Sequence, residues 1–269
     1  MEQQVSENNI SAGQTSIKKQ ASMDYKLLID TAALAGTLML ENGAEIYRVE
    51  ETIDYMLKTS GLKTSEAFVV STGIMISLDD PSIDALTVIR RVNRGATNLN
   101  VVAQVNDISR KFYKKVISLE EAFSHLKHLD KTQYPWWLKD ICTIFVVASF
   151  AGMYGGNGYD MLATAIVGIF LAAWLHAGKK IGLNSLIKDL TASVVISVMA
   201  SVMVHIGVGM HIDRIIIGAI MVLVPGAAIT NAIRDTLHGD YTSGNANILQ
   251  AFAEAAMIAL GVYVGLLLL

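Results

Sequence analysis

The 269-residue chain is poor in several residue types, and each shortage excludes something. It has one cysteine, Cys142, so neither a disulfide framework within one chain nor a multi-cysteine metal site can form. Of its three prolines, Pro81 falls at a turn, Pro135 lies just before Trp136-Trp137, and only Pro225 interrupts a long apolar run. Charge is scarce in the second half. Residues 1–140 hold 16 of the 21 Lys+Arg and 18 of the 24 Asp+Glu, leaving 5 and 6 for residues 141–269. The first 22 residues lack the apolar core of a signal peptide, so a short disordered lead over 1–22 and a cytosolic N-terminus are expected. A net charge of −3 with only short basic runs gives nucleic-acid binding no support. No Gly-rich phosphate loop is present, so ATP-driven work by this chain has no basis. No cofactor and no metal are expected.

What the chain has instead is apolar length. Hydrophobic residues make up 52% and the mean hydropathy is +0.44. A spanning helix needs about 20 mostly apolar residues. Five stretches qualify: 138–154, 160–178, 190–210, 212–233 and 246–269. Tyr134-Pro135-Trp136-Trp137 before the first suits the headgroup region. Loop 155–159 has no Lys or Arg, whereas 179–189 carries three Lys. Short cytoplasmic loops collect Lys and Arg, which predicts five spans with the N-terminus in and the C-terminus out. Soluble helical bundles rarely string five such segments together. Asp189, Ser193, Ser197, Ser201, His205 and Gly209 form a row at i+4 spacing, which suits close helix packing.

The stretch LVPGAAITNAIRD, 223–235, departs from a lipid-facing helix. Pro225 removes a backbone donor and clashes with the preceding turn, and Gly226 adds backbone freedom. Irregular backbone at membrane depth survives only inside protein or beside water, and transporters use such breaks to bind substrates. Asn231 and Asp235 then share a helix face, with Arg234 beside them. Arg234 and Asp235 approach the cytoplasmic interface, where an ion pair is cheap; Asn231 lies deeper. The turn-rich segment 238–247, which contains Asp240, leads to a second polar stripe, Asn247, Gln250 and Glu254. A carboxylate such as Glu254 inside a span is a functional candidate by default. A coupling role for a proton or cation would suit it.

The polar half predicts a small α+β domain over 23–133, followed by a membrane domain over 134–269. Helices are expected over 25–41 and 44–58, the second with Ile46, Val49, Ile53, Met56 and Leu57 inward. Residues 66–78 are expected as a strand, Asp79-Asp80-Pro81 as a turn and 84–92 as the returning strand. Residues 98–118 are expected as a helix with Leu99, Val102, Val105, Ile108, Phe112 and Val116 inward, and 119–130 as a last short one. His125 and His128 suit a solvated helix face. Arg90, Arg91 and Arg94 could hold phosphate or headgroups, but suit a solvated strand edge better. Ser71-Thr72-Gly73 alone gives no nucleophile with a base and an orienting group.

Four segments together carry a resemblance: ENGAEIYRVEETI (41–53), VVSTGIMISL (69–78), RRVNRGATNLNVVAQVNDISR (90–110) and GAIMVLVPGAAITNAIRDTLHGDYTSGNANILQAFAEA (218–255). In this order the chain resembles the threonine/serine exporter family over nearly all of 25–269. The resemblance implies an integral bacterial plasma-membrane protein. Long members fuse a cytosolic domain, five spans and about five more. This chain looks like the split form, in which a second short membrane subunit supplies the remaining spans. Split systems are associated with succinate export and fused ones with threonine and serine export. The cytosolic motif of the family falls on Gly43, Ala44, Arg48, Val49, Glu50, Thr72 and Gly73. The membrane motif falls on Pro225, Gly226, Asn231, Arg234, Asp235, Gly239, Asp240, Ser243, Gly244 and Glu254. Where the family has an Arg shortly after Ser-Gly, this sequence has Asn245-Ala246-Asn247, which removes one anion contact.

The sequence therefore predicts an α-helical membrane protein with an N-terminal cytosolic α+β domain, acting as a non-enzymatic exporter subunit for small amino acids or dicarboxylates. In this reading Arg234 attracts a carboxylate, and Glu254 or Asp235 exchanges a proton. A different reading makes the chain a membrane-anchored hydrolase or a ligand-sensing regulatory subunit acting through the cytosolic domain. The positions of interest in 223–254 favour transport.

Overall fold

The computed structural model describes residues 24–93, 95, 97–130 and 134–268. The expected lead over 1–22 and Arg94 lie outside the described residues. The chain divides into two compact units with the boundary at residues 131–132.

The first unit is built around helix α1, Tyr25–Glu41. Asp24 caps it, accepting a hydrogen bond from the Leu27 N–H at 3.0 Å. Leu28, Ile29, Ala32, Ala33, Ala35, Met39 and Leu40 are buried over most of its circumference, as befits a central helix. Gly36 is required by packing: a Cβ there would lie 2.7 Å from Ile53 Cδ1. Helix α2, Ile46–Leu57, buries the five residues its spacing predicts.

A three-stranded antiparallel sheet follows, with β1 Thr64–Val70, β2 Gly73–Asp80 and β3 Ile83–Arg91 in the order β1-β2-β3. One strand over 66–78 does not form. The run folds back at Ser71-Thr72, because Gly73 lets the β2 backbone start a tight hairpin against Val70. Val69, Ile74, Ile76 and Leu78 enter the core with α1 and α2. Asp80 closes the second turn by accepting from the Lys63 N–H and from the Ser82 N–H and hydroxyl. These bonds hold its carboxyl below the usual range.

Helices α3, Leu99–Tyr113, and α4, Leu119–Lys127, complete the unit. Leu99 and Val116 were expected inward, but each is 67% exposed. Leu99 opens its helix. Lys115, at φ 58°, turns the chain before Val116 can continue it. Ser118 and Glu121 form a reciprocal capping box that starts α4.

Among its described residues, the second unit holds four helices long and apolar enough to cross a membrane. They are α5 Trp136–Met153, α6 Gly158–Ile181, α7 Ser185–His205 and α10 Tyr241–Leu267. Between α7 and α10 the expected single span over 212–233 is broken into α8, Ile212–Ile220, and α9, Gly226–Leu237. Helix α8 packs among α5, α6 and α7, and α9 packs on α10. The core joins Val147, Val167, Leu171, Ile196, Ile215 and Ile258.

Two outcomes are expected in the first unit. Ile53→Ala, a fully buried site, should cost about 2–5 kcal/mol, measured by hydrogen exchange of the sheet amides in the full chain. Burial pushes the Asp54 carboxyl above its ordinary value, partly opposed by Lys58. The folded state therefore holds that proton more tightly than the unfolded chain. Stability falls as pH rises from the ordinary carboxylate value through the raised one. Asp54→Asn should accordingly be more stable than wild type at neutral pH, with the difference vanishing below the carboxylate range.

Candidate functional site

Several of the residues singled out in the first unit hold backbone in place. Gly43 lies at φ 83°, where glycine is favoured, and a Cβ there would come within 2.9 Å of the Thr97 side chain. Glu50 reaches across to β1 and accepts the Val69 N–H at 3.2 Å. The Thr72 carbonyl accepts the Val92 N–H at 2.9 Å. At Gly73 an added Cβ would sit 3.2 Å from the Arg90 carbonyl oxygen. Arg48 pairs with Glu45 and bonds the Tyr47 hydroxyl. Arg90 pairs with Asp30 at 2.9 Å. His125 and His128 line an open hollow of about 560 Å³ with Gln104, Asp107 and Asp130, and His128 Nδ1 lies 2.8 Å from the Ser124 carbonyl oxygen. Among the described residues no three His, Cys, Asp or Glu side chains gather as metal ligands would.

The second unit places its polar residues with more consequence. Pro225 stands at the junction before α9, and no side chain caps the new helix. Gly226 turns tightly, donating its N–H to the Val224 carbonyl at 2.8 Å. Helix α9 and the first half of α10 form an antiparallel hairpin joined by the turn at Gly239 and Asp240. At its seam Asp235 is fully buried and accepts from Asn247 Nδ2 at 2.9 Å. Ser243 and Gly244 are buried beside them. Gly244 sits so close to Thr236 and the Ala232 carbonyl that a side chain has no room. This seam fixes the register. From Asp235 back to Gly226, and from Asn247 forward to Glu254, the helices climb about 13 and 11 Å at 1.5 Å per residue. The start of α9 is therefore about level with Glu254. Arg234 lies roughly 12 Å along α9 from Gly226, so it and Glu254 cannot hold one small substrate between them.

Glu254 is half-buried and accepts a 2.9 Å bond from Gln250. On α7, which Gly261 of α10 contacts at Leu190 and Ser193, Asp189 is buried. It also lies 3.4 Å from the Ser185 hydroxyl and 4.0 Å from Lys188 Nζ. The i+4 row on α7 serves packing as expected. Gly261 and Gly265 of α10 press on it near Ser193 and Ser197, which keeps the two helices close and parallel. His205 ends α7 as an exposed residue.

Sequence reasoning missed Asp160. It is fully buried at the start of α6 and accepts from the N–H groups of Asn157, Met210 and His211 at 3.0, 2.7 and 2.9 Å. Its other close contact is His211 Nδ1 at 2.8 Å. It clamps the 154–157 turn to the 206–211 loop at one end of the bundle. The Asn157-x-x-Asp160 spacing, a capping box, was the available signal.

The chain matches the threonine/serine exporter family model over residues 30–269. It belongs to that family. A Klebsiella aerogenes protein named "Probable succinate transporter subunit YjjP" is 22% identical over 236 residues, which cover 86% of this chain and 88% of that protein. No solved structure matches the chain. This exporter-family chain is thus a membrane protein of a transporter family, and the broken segment and its polar hairpin fall within the matched residues.

The seam yields a direct expectation. Asn247→Leu removes a donor from a buried carboxylate and should weaken the hairpin by about 1–3 kcal/mol. Hydrogen exchange should rise in residues 226–253 and stay unchanged in α5 and α6.

Proposed function

We propose that this chain is one subunit of a proton-coupled secondary transporter that exports a small carboxylate or amino acid across the bacterial plasma membrane. Succinate, threonine and serine are the candidates. A second short membrane subunit supplies further spans. In this reading α5, α6, α7, the broken α8–α9 segment and α10 make five crossings, with the first unit in the cytoplasm. The lysine-bearing end, with Lys179, Lys180 and Lys188, faces inward.

The observation that carries the reading is the level match between the break before α9 and Glu254, set by the Asp235–Asn247 seam. A helix start offers unpaired N–H groups and the positive end of a helix dipole. A substrate carboxylate can rest there, as at other broken transporter helices. A carboxylate beside it can take up a proton as the substrate leaves. Glu254 is half-exposed, whereas Asp235 is buried in the hairpin seam. The proton role is therefore given to Glu254, and Asp235 is given the structural one. Arg234, farther along α9, attracts the anionic substrate on its approach. Asn231 lies between Arg234 and the break. Asp240, in the hairpin turn, marks the entrance. The relative named as a succinate transporter subunit favours a dicarboxylate and a partner chain.

The test is efflux. Cells loaded with labelled succinate, threonine or serine are compared in a strain lacking this protein and in strains restored with wild type or Glu254→Gln. Each is measured with and without the multi-span protein that co-purifies with the chain in mild detergent, after checking membrane levels. One substrate should leave only when both subunits are present, and Glu254→Gln should slow its efflux strongly. If none of the three shows efflux dependent on the chain, the reading is wrong.

A further inference from the structure

The sheet of the first unit has two edges, and they end differently. Strand β1 packs on α2, and Glu50 of that helix accepts the outward Val69 N–H. Strand β3 packs on β2 and α1, and Asp84, Ala85, Thr87, Ile89, Arg90 and Arg91 along it are exposed. An unpaired edge is a template for another strand, and proteins blunt it with Lys, Pro, a bulge or a short strand. The nine residues of β3, IDALTVIRR, contain neither Lys nor Pro. The register shift in its pairing with β2 falls at the turn, between Leu78 and Asp80.

The direction of the β3 backbone groups follows from the hairpin. The Val92 N–H donates to the Thr72 carbonyl at 2.9 Å, so Val92 turns its backbone groups toward β2. In an antiparallel pair such residues alternate along the strand. Arg90, Val88 and Leu86 therefore turn their N–H and C=O groups to β2, opposite Ile74, Ile76 and Leu78. Ala85, Thr87 and Ile89 point theirs away from the sheet. Among the described residues, no turn, loop or other element supplies these three with a backbone partner.

The side chains of β3 read alike in both directions from Thr87. Leu86 and Val88 come first, then Ala85 and Ile89, then Asp84 and Arg90. A second β3 laid antiparallel about a two-fold axis at Thr87 sets Thr87 opposite its own copy, Ala85 opposite Ile89 and Leu86 opposite Val88. It also sets the Asp84 of each copy opposite the Arg90 of the other. The Thr87 and Ala85–Ile89 pairs are the ones whose N–H and C=O groups point outward, so they exchange the ladder bonds. Asp84 and Arg90 then fall in non-hydrogen-bonded pairs, where facing side chains are closest. Opposite charges there stabilise the pairing, and the two-fold makes the contact twice. Arg90 holds Asp30 at 2.9 Å and has donors to spare for a second carboxylate. Sliding one strand by two residues sets Asp84 against Val88 or Val92 and loses both charge pairs.

We propose that two copies of this chain pair through β3, antiparallel about Thr87, and join their sheets into one. The occupant of the open edge is a second copy because the edge complements itself both in charge and in backbone direction. Both copies are held in one membrane, which raises their effective concentration. The transporter then contains two copies of this chain, whichever substrate it moves.

The test is cysteine crosslinking of the full chain in membranes. Cys142, which is exposed, is replaced by Ser. Glu66, Ser77 and Thr87 form one row across the sheet. In the paired sheet the two Thr87 positions are neighbours, whereas the two Glu66 positions are about 24 Å apart, five strand spacings. A short bismaleimide should join Thr87→Cys chains into a dimer and leave Glu66→Cys chains single. Differently tagged copies carrying Ala85→Cys and Ile89→Cys should join to each other more than either joins to itself. In the Thr87→Cys chain, Asp84→Arg should lower the dimer yield at least about fivefold, because two opposite-charge pairs become like-charge pairs. Asp84→Glu should keep it. Membrane levels and hydrogen exchange of α1 should not change, since Asp84 is exposed. The proposal is overturned if Thr87→Cys gives no more dimer than Glu66→Cys, or if the adducts join another protein. It is also overturned if the mixed pair joins no better than the single ones, or if Asp84→Arg leaves the yield unchanged. Efflux without a Thr87→Cys dimer would reject this interface alone. A dimer in a chain that exports none of the three substrates would reject the transport reading alone.

Discussion

The bond from Asn247 to the buried Asp235 carboxylate fixes how the broken segment is used. A carboxylate placed in an apolar seam must keep its hydrogen-bond donors, because burying it without them costs far more than the bond is worth in water. That requirement holds α9 and α10 in a single register. Gly244 reinforces it by letting the backbones meet where no side chain fits. Once the register is set, the start of α9 and Glu254 must share a level, and Asn231 and Gln250 must share an edge.

The same economy recurs at the opposite end of the bundle. Asp160 is a charged group buried completely, yet it is supplied with three backbone N–H groups and a histidine nitrogen. Arg214 binds the Gly155 carbonyl nearby. Few charges are present in this half of the chain, and those at Asp160 and Asp235 tie together segments that apolar contact alone would leave free to slide. Glu254 differs from both. It is only half-buried and accepts a hydrogen bond from a glutamine one turn away. Under the proposed reading, environment rather than residue type separates the coupling carboxylate from the structural ones.

In the first unit the residues that stand out in the sequence are explained by backbone geometry. Gly43 is needed for a left-handed turn, Gly73 for a tight hairpin, and Glu50 to satisfy a strand N–H. These roles require particular residue types for reasons of backbone geometry.

The sequence by itself determined the division between a charged and an apolar half, the core face of α2 and the break at Pro225. Those follow from local rules: charge avoids hydrocarbon, apolar residues recur at the helical period, and proline cannot continue a helix. It also determined that Asn231, Asn247, Gln250 and Glu254 sit on helices in polar rows. Only the tertiary structure decided which rows meet. It folded 66–80 into a hairpin rather than one strand and turned Leu99 and Val116 outward at helix ends. It also joined Asp235 to Asn247 across the hairpin turn and made Asp160 a clamp. Each depends on a neighbour brought close by packing, and helical or strand periodicity carries no information about which distant element that neighbour is.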